Sequence, residues 1–155
     1  TSINMAHTSV TGDIAVLGNL TKATSISMAR TSVTGDIAVL GNLTEVTNID
    51  MSATEVTGDI AVLGNLTEST SISMAATKVT GDIAVLGNLT KKATIDMYGR
   101  QGAIRRTKVT GDIGVLANCP GLQTANFRNC KNITGDIAVL GSLRYFDMYG
   151  TKVTW

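Results

Sequence analysis

The chain has 155 residues, of which 43% are hydrophobic and only 4% aromatic, enough for one domain with an aliphatic core. The net charge of +1 gives no strong field to draw nucleic acid or an acidic membrane, and the longest clean apolar run, IAVL, cannot cross a bilayer. One histidine and two cysteines exclude a multi-histidine metal site and a disulfide framework.

A twelve-residue phrase, VTGDIAVLGNLT, recurs along the chain. Its four copies are Val10–Thr21, Val33–Thr44, Val56–Thr67 and Val79–Thr90, and two diverged copies begin at Val109 and Ile133. The glycines of the TGD motif are 23, 23, 23, 30 and 24 residues apart, and the long interval contains an insert, RQGAIRR, from Arg100 to Arg106. This period predicts one domain over residues 1–155, built from about six and a half stacked coils with an insert loop at 100–106.

Each period contains one predicted strand followed by one predicted turn. Ile26 and Met28 alternate with polar residues, as in a short half-buried strand. The segment DIAVLGNL begins at Asp36, a good N-cap residue, and predicts a single tight helical turn. Neither element can bury a hydrophobic face alone, so the coils are expected to stack. Each side chain would then pack against the equivalent side chain of the adjacent coil.

The apolar spacing of one period resembles that of the plant-type leucine-rich repeat, LxxLxxLxxLxLxxNxLxGxI. The matching positions in one period are Leu17, Leu20, Ala23, Ile26, Met28, Val33, Gly35 and Ile37. The VTGDI phrase is also similar to repeats in algal and protist surface proteins. The resemblance covers the whole chain. It implies a curved right-handed solenoid with a concave parallel β-sheet, short 3-10 turns or loops on the convex side, and a binding role.

Two polar columns recur once per coil. Asp36 and its equivalents would either line up carboxylates for calcium or cap the turn that follows. Calcium needs at least six oxygens, so capping is favoured. Thr31 and its equivalents replace the usual Asn of the family, and we expect them to point inward and bond to backbone groups. Another threonine column, beginning at Thr11, is predicted to be exposed, but it offers one threonine per coil where an ice-binding face usually has two ranks.

The two cysteines are predicted to be buried and unpaired, because Cys119 replaces a core leucine and Cys130 falls near the inward threonine position. Five N-x-Thr triplets weakly favour an extracellular or cell-surface protein, although four of them are copies of one phrase. These triplets begin at Asn19, Asn42, Asn65, Asn88 and Asn132.

The strand residues predicted to face the concave surface change along the chain. In the first four coils they are small, as at Ser25 and Ser27, whereas the last three coils carry tyrosine and arginine, which are enriched at binding hot spots. The candidate ligand-binding residues are Asp96, Tyr98, Asn126, Arg128, Tyr145, Asp147 and Tyr149, together with Arg100, Arg105 and Arg106 of the insert. The alternative is that these residues cover the C-terminal end of the core together with Trp155.

The sequence therefore favours a non-catalytic binding module that takes a peptide, protein or glycan on its C-terminal concave surface. No catalytic constellation, phosphate loop or cofactor motif stands at recognisable spacing, so we predict no enzyme, no cofactor, no nucleic-acid partner and no membrane insertion. Two alternatives are a structural or adhesive repeat segment and an ice-binding solenoid with a small polar face. The first strand, Ile3 to Met5, has no recognisable cap, which predicts end-to-end association of copies or a missing cap.

Overall fold

The computed structural model describes residues 1–91, 93–102 and 106–155. Its strands, in chain order, are β1 (Ser2–Asn4), β2 (Thr11–Asp13), β3 (Ser25–Ser27), β4 (Ser32–Thr34), β5 (Asn48–Asp50), β6 (Ser71–Ser73), β7 (Thr80–Asp82), β8 (Ala93–Asp96), β9 (Lys108–Asp112), β10 (Leu122–Asn126), β11 (Asn132–Thr134) and β12 (Tyr145–Asp147). Its 3-10 helices are η1 (Ile14–Asn19), η2 (Ile37–Asn42), η3 (Ile60–Asn65), η4 (Ile83–Asn88), η5 (Ile113–Asn118) and η6 (Ile137–Leu140). No helix among the described residues is long and apolar enough to span a bilayer.

The main sheet contains one strand from each coil, in the order β1-β3-β5-β6-β8-β10-β12, and every neighbouring pair is parallel. Its register aligns equivalent residues, so that Ile26 pairs with Ile3 on one side and Ile49 on the other. We call the outward face of this sheet the concave surface. The TGD segments and their equivalents form a second series of parallel pairs, β2 with β4, and β9 with both β7 and β11, which confirms the stacked-coil prediction.

The core is a set of aliphatic columns between the two series of strands. In the third coil Ile49, Met51, Ile60 and Leu63 are each no more than 1% exposed. Where β10 carries Ala125 in place of the usual isoleucine, the next inward residue is Phe127, which is fully buried in place of the usual methionine. Ala125 and Phe127 together fill the core space that an isoleucine and a methionine fill in the preceding coils, as close packing requires.

The polar columns serve the backbone, as predicted. Asp36 Oδ1 accepts from the Ala38 N–H at 2.8 Å, and the aspartate before each of the other 3-10 helices makes the same bond. The Thr31 hydroxyl donates to the Met28 carbonyl oxygen at 2.7 Å and is buried. These aspartates are therefore N-caps of the 3-10 helices, and the threonines donate hydrogen bonds to backbone carbonyl oxygens in the turns after the strands.

The TGD glycine is required by the aspartate of the preceding coil. Gly58 has φ +114°, and a Cβ atom placed there would lie 2.3 Å from Asp36 Oδ1. The same close approach recurs at the TGD glycines of every other coil except the first, where Gly12 has no preceding coil to meet. Only glycine combines this backbone conformation with this lack of volume.

The insert leaves the core columns on either side of it intact, since Met97 is fully buried and Val109 is 1% exposed. Thr107, which follows the insert, donates to the Met74 carbonyl oxygen of the preceding coil at 3.0 Å. Residues 103–105, which include the candidate ligand-binding residue Arg105, lie outside the described residues.

Candidate functional site

The concave surface of the last three coils brings the candidate residues into two parallel columns. Thr94, Thr124 and Tyr145 are register partners on β8, β10 and β12. Asp96, Asn126 and Asp147 form the neighbouring column. The register of the main sheet thus places these residues side by side across adjacent coils.

The acidic and amide residues of this column shape the turn after each strand. Asp96 Oδ1 accepts from the Tyr98 N–H at 3.1 Å, Asn126 Oδ1 from the Arg128 N–H at 3.1 Å, and Asp147 Oδ1 from the Tyr149 N–H at 3.0 Å. Asn4 and Asp50 make the same bond in earlier coils. The sequence pattern did not predict this role, although Asx turns are a common use of these residues just after a strand.

Arg128 is held from two sides. Its Nη1 donates to Asp147 Oδ2 at 3.2 Å, and its guanidinium carbon lies 4.6 Å from the centroid of the Tyr149 ring. The geometry matches a salt bridge combined with a cation–π contact. Asp147 forms the ion pair with this arginine, whereas Asp96 of the same column does not.

The three tyrosines differ in exposure. Tyr145 and Tyr149 are 54% and 62% exposed, whereas Tyr98 is half-buried. Exposed aromatic rings beside an ordered arginine can contact a ligand with little loss of conformational freedom.

Tyr98 lies in a groove that runs along the strand ends toward the N-terminal coils. This strand-edge groove, of about 680 Å³, has Asp96, Tyr98 and Arg100 at one end and Arg30 at the other. Its floor consists of small residues, among them Ala75 and Ala76, which are buried. The sequence pattern did not single out Arg30, because nothing in its own coil distinguishes it from a variable turn residue.

Tyr149 lines a different groove, with Gln101, Arg106, Asn129 and Lys131. The candidate residues therefore do not form one pocket. Arg100 belongs with Tyr98, and Arg106 belongs with Tyr149.

Neither cysteine has the features of an activated nucleophile. Burial raises the pKa of the Cys130 thiol to about 12, and burial also raises the pKa of the Cys119 thiol. Both cysteines are buried and unpaired, as predicted, and the Cys130 Sγ donates to the Met97 carbonyl oxygen at 3.0 Å. A thiol with a raised pKa is a poor nucleophile at neutral pH. Within the described part of the chain no three His, Cys, Asp or Glu side chains are grouped to hold a metal ion.

Burial also raises the pKa of the Asp96 carboxyl, and the negative charge of Asp50 adds to this effect. The hydrogen bond from the Tyr98 N–H acts in the opposite direction. Asp96 is thus an acid whose charge is poorly solvated at one end of the strand-edge groove.

Comparison with known proteins identifies the architecture. No protein-family model matches the chain, and no curated protein sequence matches it. Among solved structures, a plant ice-binding protein is similar over 98% of this chain and 49% of its own, with a TM-score of 0.79 and 20% identity.

Two other solved structures are similar over 99% of this chain. An internalin, InlF from Listeria monocytogenes, has a TM-score of 0.74 with 22% identity and is covered over 43% of its length. The plant peptide hormone receptor RGFR1, solved in complex with RGF2, has a TM-score of 0.73 with 18% identity and is covered over 28% of its length.

The chain thus spans about half or less of the length of these three proteins. Their common architecture agrees with the parallel main sheet, the 3-10 helices and the repeat spacing described above. The chain has the fold of a leucine-rich repeat solenoid.

Proposed function

We propose that this protein is a non-catalytic recognition module that binds an extended peptide segment on the C-terminal part of its concave surface. The observation that carries the proposal is the Arg128 cluster, in which the guanidinium is paired with Asp147 and stacked on Tyr149. Arginine and tyrosine at the centre of a contact surface supply most of the energy in many interfaces. The positions equivalent to Arg128 and Tyr149 carry only alanine or serine in the first four coils, at Ala6, Ala29, Ser52 and Ala75.

The strand-edge groove supports an extended ligand. It continues from Tyr98 across the small residues of two coils to Arg30, so a chain lying in it would meet a basic side chain at each end. Two of the similar structures, RGFR1 with RGF2 and PEPR1 with AtPEP1, are proteins solved with the partners named beside them, at 18% and 23% identity. This likeness is one of fold, and the ligand class is inferred from the site itself.

The test is selection of peptides from a displayed random library on the wild-type protein, followed by calorimetric titration of the selected sequences. We expect Arg128→Ala and Tyr145→Ala each to weaken a selected peptide by about 2 kcal/mol or more, roughly a thirtyfold loss. The matched controls, Ser25→Ala and Ser71→Ala, lie at equivalent strand positions in early coils and should leave affinity unchanged.

Two outcomes would contradict the proposal. One is a set of peptides that bind Tyr98→Ala, Arg128→Ala and Tyr145→Ala proteins as well as the wild type but lose affinity on changes at Ser27 or Ser73. The other is a selection that recovers no wild-type-specific peptide.

Ice binding is the second candidate function. The threonine column on the outer face of the TGD segments is exposed in the first four coils, at Thr11, Thr34, Thr57 and Thr80, and a plant ice-binding protein shares the fold. Lys78 and Lys108 interrupt the neighbouring rank on this face, and Asp50 interrupts the serines of the concave surface. Thermal hysteresis of the pure protein would establish this function, and freezing at the buffer control's temperature would eliminate it.

A further inference from the structure

The near-zero net charge hides a division of charge along the solenoid. Residues 1–90 carry three basic and eight acidic side chains, for a net charge of −5. Residues 91–155 carry ten basic and four acidic side chains, for a net charge of +6. A local field of this kind can draw a charged ligand although the whole chain has little net charge.

Lysines along the first four coils are neutralised by glutamates of adjacent coils. Lys22 Nζ lies 2.5 Å from Glu45 Oε1 on the next coil, and Lys91 forms an ion pair with Glu68. Three basic residues of the later coils, Arg106, Lys108 and Lys131, form no ion pair with any residue in the described part of the chain. Their charge is therefore available to a ligand.

These three residues line two grooves that share Arg106 and Lys131, and we call the two together the basic groove. One groove, of about 530 Å³, also contains Gln101, Asn129 and Tyr149. The other, of about 260 Å³, also contains Lys108 and Asn132. No acidic side chain lines either groove among the described residues.

The floor of the basic groove is ordered by buried backbone. Asn129 is 6% exposed, adopts φ +64° and accepts from the Gln101 amide through Oδ1 at 3.3 Å. The Arg106 Nη2 is 3.4 Å from the Asn129 carbonyl oxygen, so one end of the guanidinium is directed to the fold. Lys131 follows the buried Cys130 and is exposed. Positive charge from two successive coils thus converges on one surface.

We propose that the basic groove binds a sulfated polysaccharide. Arginine and lysine bind sulfate through charge-assisted hydrogen bonds, and arginine does so with two parallel donors. The amides of Gln101 and Asn132 suit sugar hydroxyls, and the exposed ring of Tyr149 provides an apolar surface for a sugar face.

The composition of the groove favours this ligand over two other polyanions. An acidic peptide usually places side chains in apolar pockets as well, and the one aliphatic side chain among the described lining residues, Val109, is 1% exposed. A single-stranded nucleic acid stacks successive bases on several aromatic rings, and only Tyr149 is present here among the described lining residues. The basic groove shares Tyr149 with the Arg128 cluster of the proposed peptide function, but neither Arg128 nor Tyr145 lines it.

The test is titration of a heparin hexasaccharide into the whole protein at several salt concentrations. We expect Arg106→Gln, Lys108→Gln and Lys131→Gln combined in one variant to lower the affinity at least about tenfold and to flatten its salt dependence. The matched control combines Lys22→Gln, Arg30→Gln and Lys91→Gln, which removes the same charge away from the groove and should keep most of the affinity. Tyr145→Ala should leave heparin binding unchanged, which separates this site from the peptide site.

Further arms identify the ligand class. Completely desulfated heparin should bind at least about tenfold more weakly than heparin, because the charge-assisted bonds to sulfate are lost. Equal losses in the groove variant and the charge-matched control would overturn the proposal, since binding would then follow net charge alone. Tighter binding of polyglutamate or of a single-stranded oligonucleotide would also overturn it. Circular dichroism shows whether each variant is folded, and the single variant Lys131→Gln repeats the test if the triple variant is not.

Discussion

At the scale of single residues, the TGD glycine determines how closely two coils approach. Gly58 lies against the Asp36 carboxylate, and that carboxylate caps the helix η2 of its own coil. Gly12 has the same left-handed backbone, with φ +118°, but a Cβ atom at this position would meet no neighbouring side chain or backbone within 4 Å. Substitution of Gly12 therefore tests the backbone strain alone, whereas substitution of Gly58 tests the strain together with the contact between coils.

We expect Gly58→Ala to lower the free energy of unfolding by about 1–3 kcal/mol more than Gly12→Ala does. Both variants have the strain of a positive φ at alanine, but only the first also forces Cβ against Asp36 Oδ1. Urea denaturation of the two variants measures the difference. Equal losses would show that the glycine column is required by the backbone conformation alone.

Asp96 gives a prediction with a pH dependence. Because burial raises the pKa of its carboxyl in the folded state, ionising it destabilises the fold. The penalty is present above the folded-state pKa and disappears as the pH falls below the ordinary value of 3.8, where the acid is protonated in both states. Asp96→Asn should therefore stabilise the protein at pH 7 and have little effect below pH 3.8, because an asparagine can still accept from the Tyr98 N–H.

Thermal melts of the Asp96→Asn protein at neutral and acid pH check this prediction. Asp147→Asn is the matched control, since it keeps the turn bond to Tyr149 but loses the ion pair with Arg128, and we do not expect it to stabilise. A stabilisation by Asp96→Asn that persists unchanged at low pH would contradict the explanation.

At the scale of elements, the insert at 100–106 is expected to be dispensable for folding. Its removal joins Gly99 to Thr107, which gives the passage MYGTKVT that the last coil already has at Met148 to Thr154. In that coil Gly150 adopts φ +75°, and the Thr151 hydroxyl donates to the Met148 carbonyl oxygen at 2.6 Å. Gly99 and Thr107 can adopt the same turn.

The variant lacking residues 100–106 should keep a single cooperative thermal transition and the circular dichroism of the parent. Met97 and Val109 retain their core columns, so little buried apolar surface is lost. Loss of the cooperative transition would mean that the insert stabilises the stack. The deletion should at the same time weaken heparin binding in the basic groove, because it removes Gln101 and Arg106.

At the scale of the whole molecule, the repeat made the fold predictable. The 23-residue period, the inward Ile and Met positions and the N-cap aspartates could all be read from residues such as Ile26, Met28 and Asp36, and the structure confirms each of them. Identical coils stack with equivalent residues in register, so one coil read correctly predicts the others. The sequence also contains the division of charge along the chain, with a net charge of −5 in residues 1–90 and +6 in residues 91–155, which sum to only +1.

The sequence by itself determined the solenoid, its core columns and the polar columns that cap its helices and hydrogen-bond its turns. These features repeat in every coil, and each residue stacks on the equivalent residue of the neighbouring coil. Only the tertiary structure decided how the unrepeated surface residues associate. Arg128 pairs with Asp147, Tyr98 and Tyr149 belong to separate grooves, and Arg106 lies with Lys131 of the next coil. The physical reason is that these side chains are exposed or only half-buried and most of them lie in turns or in the insert, where neither periodicity nor close packing dictates their direction.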